Sequence, residues 1–228
     1  MHEGRLFRLR LAGVFMLSYS LAAMKLQAQS IRHKGLVRTT HWINALSFVA
    51  LAVSGAAILL AHPRFYWGET GYFDTPAAFE LPLTPNLDQS GWGRSLHFLA
   101  AWIAVINGLI YVAWGLISRH FRRRLLSARA DSHGYSVPQR VAYLTVVFGL
   151  LPIAILTGLT MSPAVTAAYP ELFVLFGGRQ SARTIHFIAA NLLMLFLVVH
   201  VAMTILSGFG NNIRSMITGV YTTPLEER

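Results

Sequence analysis

Four long apolar runs alternate with polar segments along this 228-residue chain, and each run is long enough to cross a lipid bilayer as a helix. The polar segment between the first two runs is long and rich in Pro, Gly and aromatic residues, whereas the one between the last two is short. The pattern predicts an all-α integral membrane protein, a four-helix bundle with a long loop between its first and second spans. The predicted spans cover about residues 41–61, 93–117, 138–161 and 181–207.

The composition agrees with a membrane protein, because 54% of the residues are hydrophobic and only 12% are charged. The chain contains no cysteine, which excludes disulfides, thiolate-held iron–sulfur clusters and covalent attachment of haem. The net charge of +10 comes from basic residues beside the apolar runs, as expected where a protein meets the cytoplasmic face of a membrane. We therefore expect contact with membrane lipid and no nucleic-acid partner.

The distribution of Arg and Lys predicts how the chain crosses the membrane. Residues 31–40 and 118–140 are rich in these cations, whereas residues 62–93 lean acidic and residues 162–182 contain few of either. By the positive-inside rule, both termini lie in the cytoplasm and residues 62–93 form a periplasmic loop of a multi-pass inner-membrane protein. The tryptophans agree, since they fall at the expected aromatic belts: Trp42 and Trp114 inside, Trp67 and Trp92 outside.

Residues 1–30 combine a basic start, Arg5 to Arg10, with an apolar run, Leu11 to Met24, that is short for a span. They resemble a signal peptide, but cleavage would place residue 31 outside, against the charge distribution. Two interpretations remain, which are an over-long gene start before Met24 and an interfacial helix. We expect residues 31–215 to form the membrane domain and residues 216–228 to form a cytoplasmic tail.

The fourth predicted span carries two histidines, His186 and His200, and no other ionisable group after Arg183. On a helix these histidines lie ~21 Å apart along the axis and within ~40° of one face. His41 opens the first span and His97 opens the second, so the predicted orientation places His97 and His186 near the outer face. His41 and His200 lie near the inner face. An imidazole in hydrocarbon is costly unless it is paired or liganded, so we predict two haem irons, each held by one such pair.

Other interpretations of these histidines stay open. Each could hydrogen-bond a neighbouring helix in a purely structural membrane anchor, although an anchor gives no reason for the matched depths. A histidine-lined transport path for metal ions or protons is a second alternative, and it requires a continuous polar lining. Between its two histidines, however, the fourth span offers only Asn191. Four more histidines lie at boundaries or in tails and are expected to be solvated: His2, His33, His62 and His120.

The spacing Arg-x-x-His occurs three times, with Arg38, Arg94 and Arg183 each preceding a histidine of the predicted pairs. Residues i and i+3 share one surface of a helix, and each arginine lies one turn nearer the membrane surface than its histidine. A guanidinium binds carboxylates bidentately, so we predict that these arginines bind the haem propionates. The positive-inside rule does not explain Arg94 and Arg183, because both fall on the outer side.

These residues resemble a known family, the four-helix di-haem cytochrome b subunits of membrane-bound formate dehydrogenases, nickel–iron hydrogenases and thiosulfate reductases. The resemblance covers about residues 34–215 and includes all four histidines, position by position. It implies two haem b, quinone as a substrate, and an electron-transfer role, without a catalytic residue of its own, beside a redox subunit outside the membrane. The motifs that carry it are Arg38-Thr-Thr-His41-Trp-Ile-Asn44, Val53-Ser-Gly55, His97 and His186-x13-His200.

In that family the segment before the third span often reads Lys-Tyr-Asn-Pro-x-Gln-Lys-x-x-Tyr and lies beside the quinone site. Here residues 134–143 keep Tyr135 and Gln139, while Ser136 stands where the family has Asn. The resemblance therefore implies a quinone site at these residues, near the inner haem, and His133 could relay a proton there. Anchoring and capping of the third span is the alternative role. The aromatic loop at 64–90 resembles the branch paired with sulfite-oxidase-like molybdopterin enzymes, which implies a periplasmic molybdopterin partner.

Overall fold

The computed structural model describes residues 28–31, 34–71, 75–118 and 137–223. Within these ranges four helical stretches are long and apolar enough to cross a membrane, which confirms the predicted helical membrane bundle. The first span is α1 (Gly35–Ala61), the second is α2 (Gln89–Ile117), and the third consists of α3 (Val137–Thr145) and α4 (Leu151–Thr160). Two short helices, α5 (Pro163–Ala168) and α6 (Glu171–Leu175), precede the fourth span, α7 (Arg179–Leu206).

A π-helical turn, Val146–Leu150, joins the two halves of the third span. Its position follows from Pro152, which lacks a backbone N–H and so cannot donate to the carbonyl four residues earlier. The N–H of Leu151 donates instead to the carbonyl of Val146, five residues back. Such a turn inserts one extra residue and thereby changes which side chains of α3 and α4 share a face of the span.

The interior of the bundle is made of small and polar side chains, and its exterior is made of large apolar ones. Leu46, Val49 and Ile103 are among the many exposed aliphatic residues of the spans, as expected for surfaces that contact lipid. Small residues let helices approach closely in a membrane. The buried residues of the spans include Thr40, Ser47, Ser54, Ala57, Ala100, Asn107, Thr157, Thr160, Ala182, Thr184 and Ala189.

Asn107 on α2 joins the second span to the first turns of α1. Its amide group is buried and donates to the carbonyl of Thr40 and to the side-chain oxygen of Asn44, both at 2.8 Å. Because no water competes for such bonds in the bilayer interior, a satisfied amide at this place holds α1 and α2 in one register.

The loop between the first two spans contains a short antiparallel pair, β2 (Arg64–Phe65) and β3 (Phe79–Glu80). Arg64 pairs with Glu80, with 2.8 Å between Nε and Oε1, and Phe65 stacks on Phe79 with ring centres 4.6 Å apart. The same Phe65 ring lies 4.5 Å from that of Phe187 on α7. The predicted loop is therefore folded against the start of the fourth span.

The described residues of the two chain ends, up to Arg38 and from Met203 to Thr223, belong to a separate compact unit. In it the strand β1 (Ala28–Ile31) pairs antiparallel with β4 (Val220–Thr223), and the helix α8 (Phe209–Thr218) precedes β4. Gly208 and Gly219 bracket α8 with φ of 99° and 86°, a conformation that favours glycine. The helix continues past residue 215, where the sequence places the end of the membrane domain, because its apolar residues recur at helical spacing.

Candidate haem sites

The structure places His97 on α2 and His186 on α7 directly opposite each other. Their ring centres are 6.1 Å apart and the ring planes meet at 66°. The two Nδ1 atoms do not face each other but point to hydroxyl groups on other helices. Nδ1 of His97 lies 3.0 Å from Oγ of Ser54, and Nδ1 of His186 lies 3.0 Å from Oγ1 of Thr157.

His41 and His200 form the second pair, with ring centres 6.4 Å apart and planes at 51°. Trp42 meets His41 edge-on at 5.4 Å, and Phe196 stacks on His200 at 6.0 Å. Within the described part of the chain, the buried Nδ1 of His41 has no hydrogen-bond partner. By the predicted orientation, His41 and His200 are called the inner pair and His97 and His186 the outer pair. The inner pair has aromatic neighbours, whereas the outer pair has hydroxyl partners.

The gap between the rings of each pair fits an iron atom with two axial imidazoles. A metal–imidazole bond is about 2 Å long, and a nitrogen lies about 1.1 Å from the centre of a five-membered ring with bonds of this length. Two coaxial ligands then have ring centres about 6.2 Å apart, which agrees with both observed distances. No group of three or more His, Asp or Glu side chains that could hold a metal occurs among the described residues. A porphyrin would supply four further nitrogen ligands to an iron held by one such pair.

Two glycines lie against the imidazoles of the outer pair. A Cβ added at Gly55 would meet Cε1 of His97 at 3.6 Å, and one added at Gly158 would meet Cε1 of His186 at 3.5 Å. Each glycine directly follows the residue whose hydroxyl faces the same imidazole, Ser54 or Thr157. The first and third spans therefore present the same hydroxyl–glycine pair to the outer site.

Arg183 lies on the first turns of α7 and is half-buried. It donates to the carbonyl of His62 and lies 5.0 Å over the ring of Phe65. Arg94 is exposed on the first turns of α2, and its charge acts on the same histidine as that of Arg183. The charges of two of the predicted propionate-binding arginines therefore act on one histidine, His62.

His62 is half-buried, whereas the sequence predicts a solvated side chain. Burial, and then the positive charges of Arg183 and Arg94, lower the pKa of His62 below its ordinary value. A neutral imidazole therefore accompanies the two arginines at neutral pH. The group carries a local excess of positive charge that suits a carboxylate-bearing ligand.

Arg38, the third predicted propionate ligand, belongs to the unit of the chain ends. One guanidinium nitrogen, Nη1, donates to the carbonyl of Ile217 at 2.9 Å, and its buried Nε has no partner within the described residues. The guanidinium of Arg38 therefore has its buried Nε–H, among its five N–H donors, unpaired within the described residues and available to a ligand.

The loop covers the N-terminal end of α7 through several hydrogen bonds. Oγ1 of Thr184 donates to the carbonyl of Tyr66 at 2.8 Å, and the N–H of Gly68 donates to Oγ of Ser181 at 2.7 Å. The carbonyl of Gly68 accepts from the N–H of Gln180 at 3.0 Å. These contacts bury Phe65 and Tyr66 and hold the first part of the loop beside His186.

Most of the predicted quinone site lies outside the described residues, namely His133, Tyr135 and Ser136. Gln139 is described, and its side chain is exposed on the first turn of α3. One helical turn further, the hydroxyl of Tyr143 lies 3.3 Å from that of Tyr111 on α2. The sequence pattern does not indicate this tyrosine pair.

Ser54 and Thr157 are the main residues of the site that the sequence does not assign. Ser54 is part of a family motif, and Thr157 belongs to no motif, although each stands directly before a glycine inside an apolar span. A hydroxyl residue followed by glycine, once in the first span and once in the third, is the available indication in the sequence that these residues belong to the site. Its meaning depends on which helix each dipeptide faces.

A membrane bundle with two imidazole pairs of this geometry is a cytochrome of the b type, in which haem is held by side chains alone. The model of the prokaryotic cytochrome b561 family matches residues 32–219, and the chain belongs to this family. It is therefore a multi-pass membrane protein of the electron-transfer class, and haem b is its cofactor.

Two relatives agree with this assignment. The putative protein-methionine-sulfoxide reductase subunit YedZ1 of Azospira oryzae is 33% identical over 195 residues, or 76% of this chain and 90% of that protein. The probable Ni/Fe-hydrogenase B-type cytochrome subunit of Cupriavidus necator is 27% identical over 220 residues, or 82% of this chain and 84% of that protein. No solved structure matches the chain.

Proposed function

We propose that this chain is a di-haem cytochrome b subunit of the bacterial inner membrane. It transfers electrons between the quinone pool and a periplasmic oxidoreductase of the molybdopterin class. Both termini lie in the cytoplasm, and the loop that contains β2 and β3 faces the periplasm, because the basic residues of the sequence flank the opposite ends of the spans.

The observation that carries this proposal is the presence of two separate imidazole pairs along one helix. His186 and His200 both belong to α7, and each faces a histidine of another span at 6.1 and 6.4 Å between ring centres. Along the helix axis the pairs are ~21 Å apart. Two haems at these places form a relay from one membrane surface to the other, which a single pair would not provide.

The chain positions and insulates the two haems. Bound haem b supplies reversible one-electron chemistry at its iron. The histidines offer a ring nitrogen to each iron, and Arg183 and Arg94 place positive charge where carboxylates would otherwise be costly. The apolar exterior of the spans keeps water from the path between the sites.

The partner is inferred from two facts. The relatives are named as subunits of a methionine-sulfoxide reductase and of a hydrogenase, so each is described as working with a redox enzyme. In this chain the loop is anchored through Phe65 and Tyr66, while Trp67 next to them is 57% exposed. An exposed tryptophan on a fixed backbone is a common anchor of protein interfaces. The molybdopterin class of partner rests on the resemblance of the loop.

The quinone site is proposed near the inner pair, at His133, Tyr135, Ser136 and Gln139. A quinol releases two protons with its two electrons, so its site needs hydrogen-bonding groups close to both water and a haem. Gln139 at the start of the third span has an exposed side chain, so it offers a hydrogen-bonding group close to water.

Haem counting tests the proposal. Purified wild type should contain two haem b per chain in reduced-minus-oxidised spectra, and His97→Ala and His200→Ala should each lose one. His62→Ala is the matched control, since it removes a half-buried histidine that belongs to neither pair, and it should keep both haems. A wild type with one haem, or loss of both haems in each variant, would contradict the assignment of two independent pairs.

A further inference from the structure

The hydroxyls of Ser54 and Thr157 contact the outer imidazoles with the same local geometry. Oγ of Ser54 lies 2.6 Å from the carbonyl of Ala50 and 3.0 Å from Nδ1 of His97. Oγ1 of Thr157 lies 2.6 Å from the carbonyl of Ile153 and 3.0 Å from Nδ1 of His186. In both cases the carbonyl belongs to the residue one turn earlier in the same helix.

This geometry determines which ring nitrogen carries the proton. A hydroxyl has a single proton, and the 2.6 Å contacts show that it is donated to the carbonyl one turn earlier. The hydroxyl oxygen therefore accepts from the imidazole. Nδ1 of His186 also lies 2.9 Å from the carbonyl of Ala154, and a carbonyl can only accept.

The protonated Nδ1 leaves Nε2 of both histidines with a free lone pair, the form that binds a metal. An acceptor on the far nitrogen also holds the ring at one rotation and makes the ligand more electron-donating. The inner site differs, because the buried Nδ1 of His41 has no hydrogen-bond partner within the described residues. The two sites are therefore built differently around the same type of ligand.

We propose that Ser54 and Thr157 are positioning residues of the outer haem, which hold its two histidines in the ligating tautomer and lower its reduction potential. The inference rests on the proposed function, in that His97 and His186 are taken as ligands of one iron. Removing either acceptor makes the corresponding imidazole a weaker electron donor, so the ferric form is stabilised less and the outer haem becomes easier to reduce.

The test uses the full-length protein with its haems bound. Thr157→Val and Ser54→Ala remove the hydroxyls with little change in shape, and Thr157→Ser restores one. The matched control is Thr160→Val, because Thr160 is also fully buried and its Oγ1 donates to the carbonyl of Leu156 at 2.8 Å. Redox titration followed at the haem absorption bands gives the potential of each haem, and His97→Ala identifies the outer one.

In Thr157→Val and Ser54→Ala the equilibrium constant for reduction of the outer haem should rise roughly two- to fivefold, as for loss of one neutral hydrogen bond. At 59 mV per tenfold change for one electron, this is a rise of about 20 to 40 mV. The inner haem should not change, and Thr157→Ser and Thr160→Val should titrate like the wild type. Loss of the outer haem alone in Thr157→Val, with recovery in Thr157→Ser, would also support the inference.

Two results overturn the inference. One is wild-type potentials for both haems in Thr157→Val and Ser54→Ala, which would leave the hydroxyls with a role in helix packing only. The other is an equal shift or equal haem loss in Thr160→Val. If His97→Ala kept every haem that the wild type contains, the proposed function would be contradicted, and this inference with it.

Discussion

The substitution Gly158→Ala separates two explanations of a glycine inside a membrane span. A Cβ at residue 158 would lie 3.5 Å from Cε1 of His186, which is an ordinary van der Waals distance. The protein by itself therefore accepts an alanine at this position. Alanine is also the better helix former by about 1 kcal/mol. If close helix packing were the only reason for the glycine, the substitution should be neutral or should stabilise the fold by up to that amount.

A bound haem reverses this expectation. Cε1 is bonded to Nε2 in the imidazole ring, so Gly158 lies beside the part of His186 that would hold a haem, and a bound macrocycle would need the space next to this glycine. An added methyl group then overpacks the site, at about 1 to 3 kcal/mol. With tenfold in affinity for each 1.4 kcal/mol, haem binding at the outer site weakens by about 5- to 150-fold.

The assay combines haem content with thermal unfolding. Gly158→Ala should lose the outer haem and keep the inner one, and Gly55→Ala should behave alike because its Cβ would lie 3.6 Å from Cε1 of His97. Gly210→Ala in α8 is the control, since nothing lies within 4 Å of a Cβ there, and it should keep both haems. Two haems per chain and an unchanged outer potential in Gly158→Ala would refute the placement of a macrocycle beside this glycine.

Three further predictions concern the surfaces of the chain. The pKa of His62 is lowered in the folded state, so the folded state takes up fewer protons than the unfolded state as pH falls below about 6.5, and folding stability is lost in that range. Melting temperatures measured from pH 7 to pH 5 should therefore fall less in His62→Gln than in the wild type. Parallel curves for the two proteins would contradict this. Trp67→Ala should reduce co-purification of the periplasmic partner and keep both haems. Trp102 is a similarly exposed tryptophan of the second span, and Trp102→Ala should leave co-purification unchanged. Equal partner yields for the two variants would contradict docking through Trp67. Gln139→Leu and Tyr135→Phe should slow haem reduction by quinol but not by dithionite, and wild-type quinol rates in both would move the quinone site elsewhere.

Several features of this protein follow from the sequence alone, because they depend on local rules. The length and apolarity of the runs predict the four spans, since backbone hydrogen bonds in a bilayer must be satisfied within each helix. The regular rise of a helix predicts which histidines share a depth, so that His97 is opposite His186 and His41 opposite His200. The motifs around these histidines are also sufficient to indicate the family, because they lie within single helices.

Some helix ends are also close to the sequence prediction. For the chain ends the sequence predicts a cytoplasmic tail from residue 216, and it does not indicate that α8 continues to Thr218 or that β4 pairs with β1. Strand pairing between residues almost 200 positions apart has no local pattern. The fold of the loop, with Arg64 opposite Glu80, is hidden from the sequence for the same reason.

The hydroxyl partners of the outer histidines are a matter of tertiary structure only. Ser54 and His97 are 43 residues apart, and Thr157 and His186 are 29 apart, so no helical period relates them. Whether these side chains meet depends on how each helix is rotated about its own axis, and in the third span a π-helical turn before Pro152 lies between α3 and the half that carries Thr157. The sequence could therefore predict the candidate ligands and their depth, because both predictions rest on properties of single helices. The atoms that orient those ligands come from the packing of one helix against another, which only the folded bundle specifies.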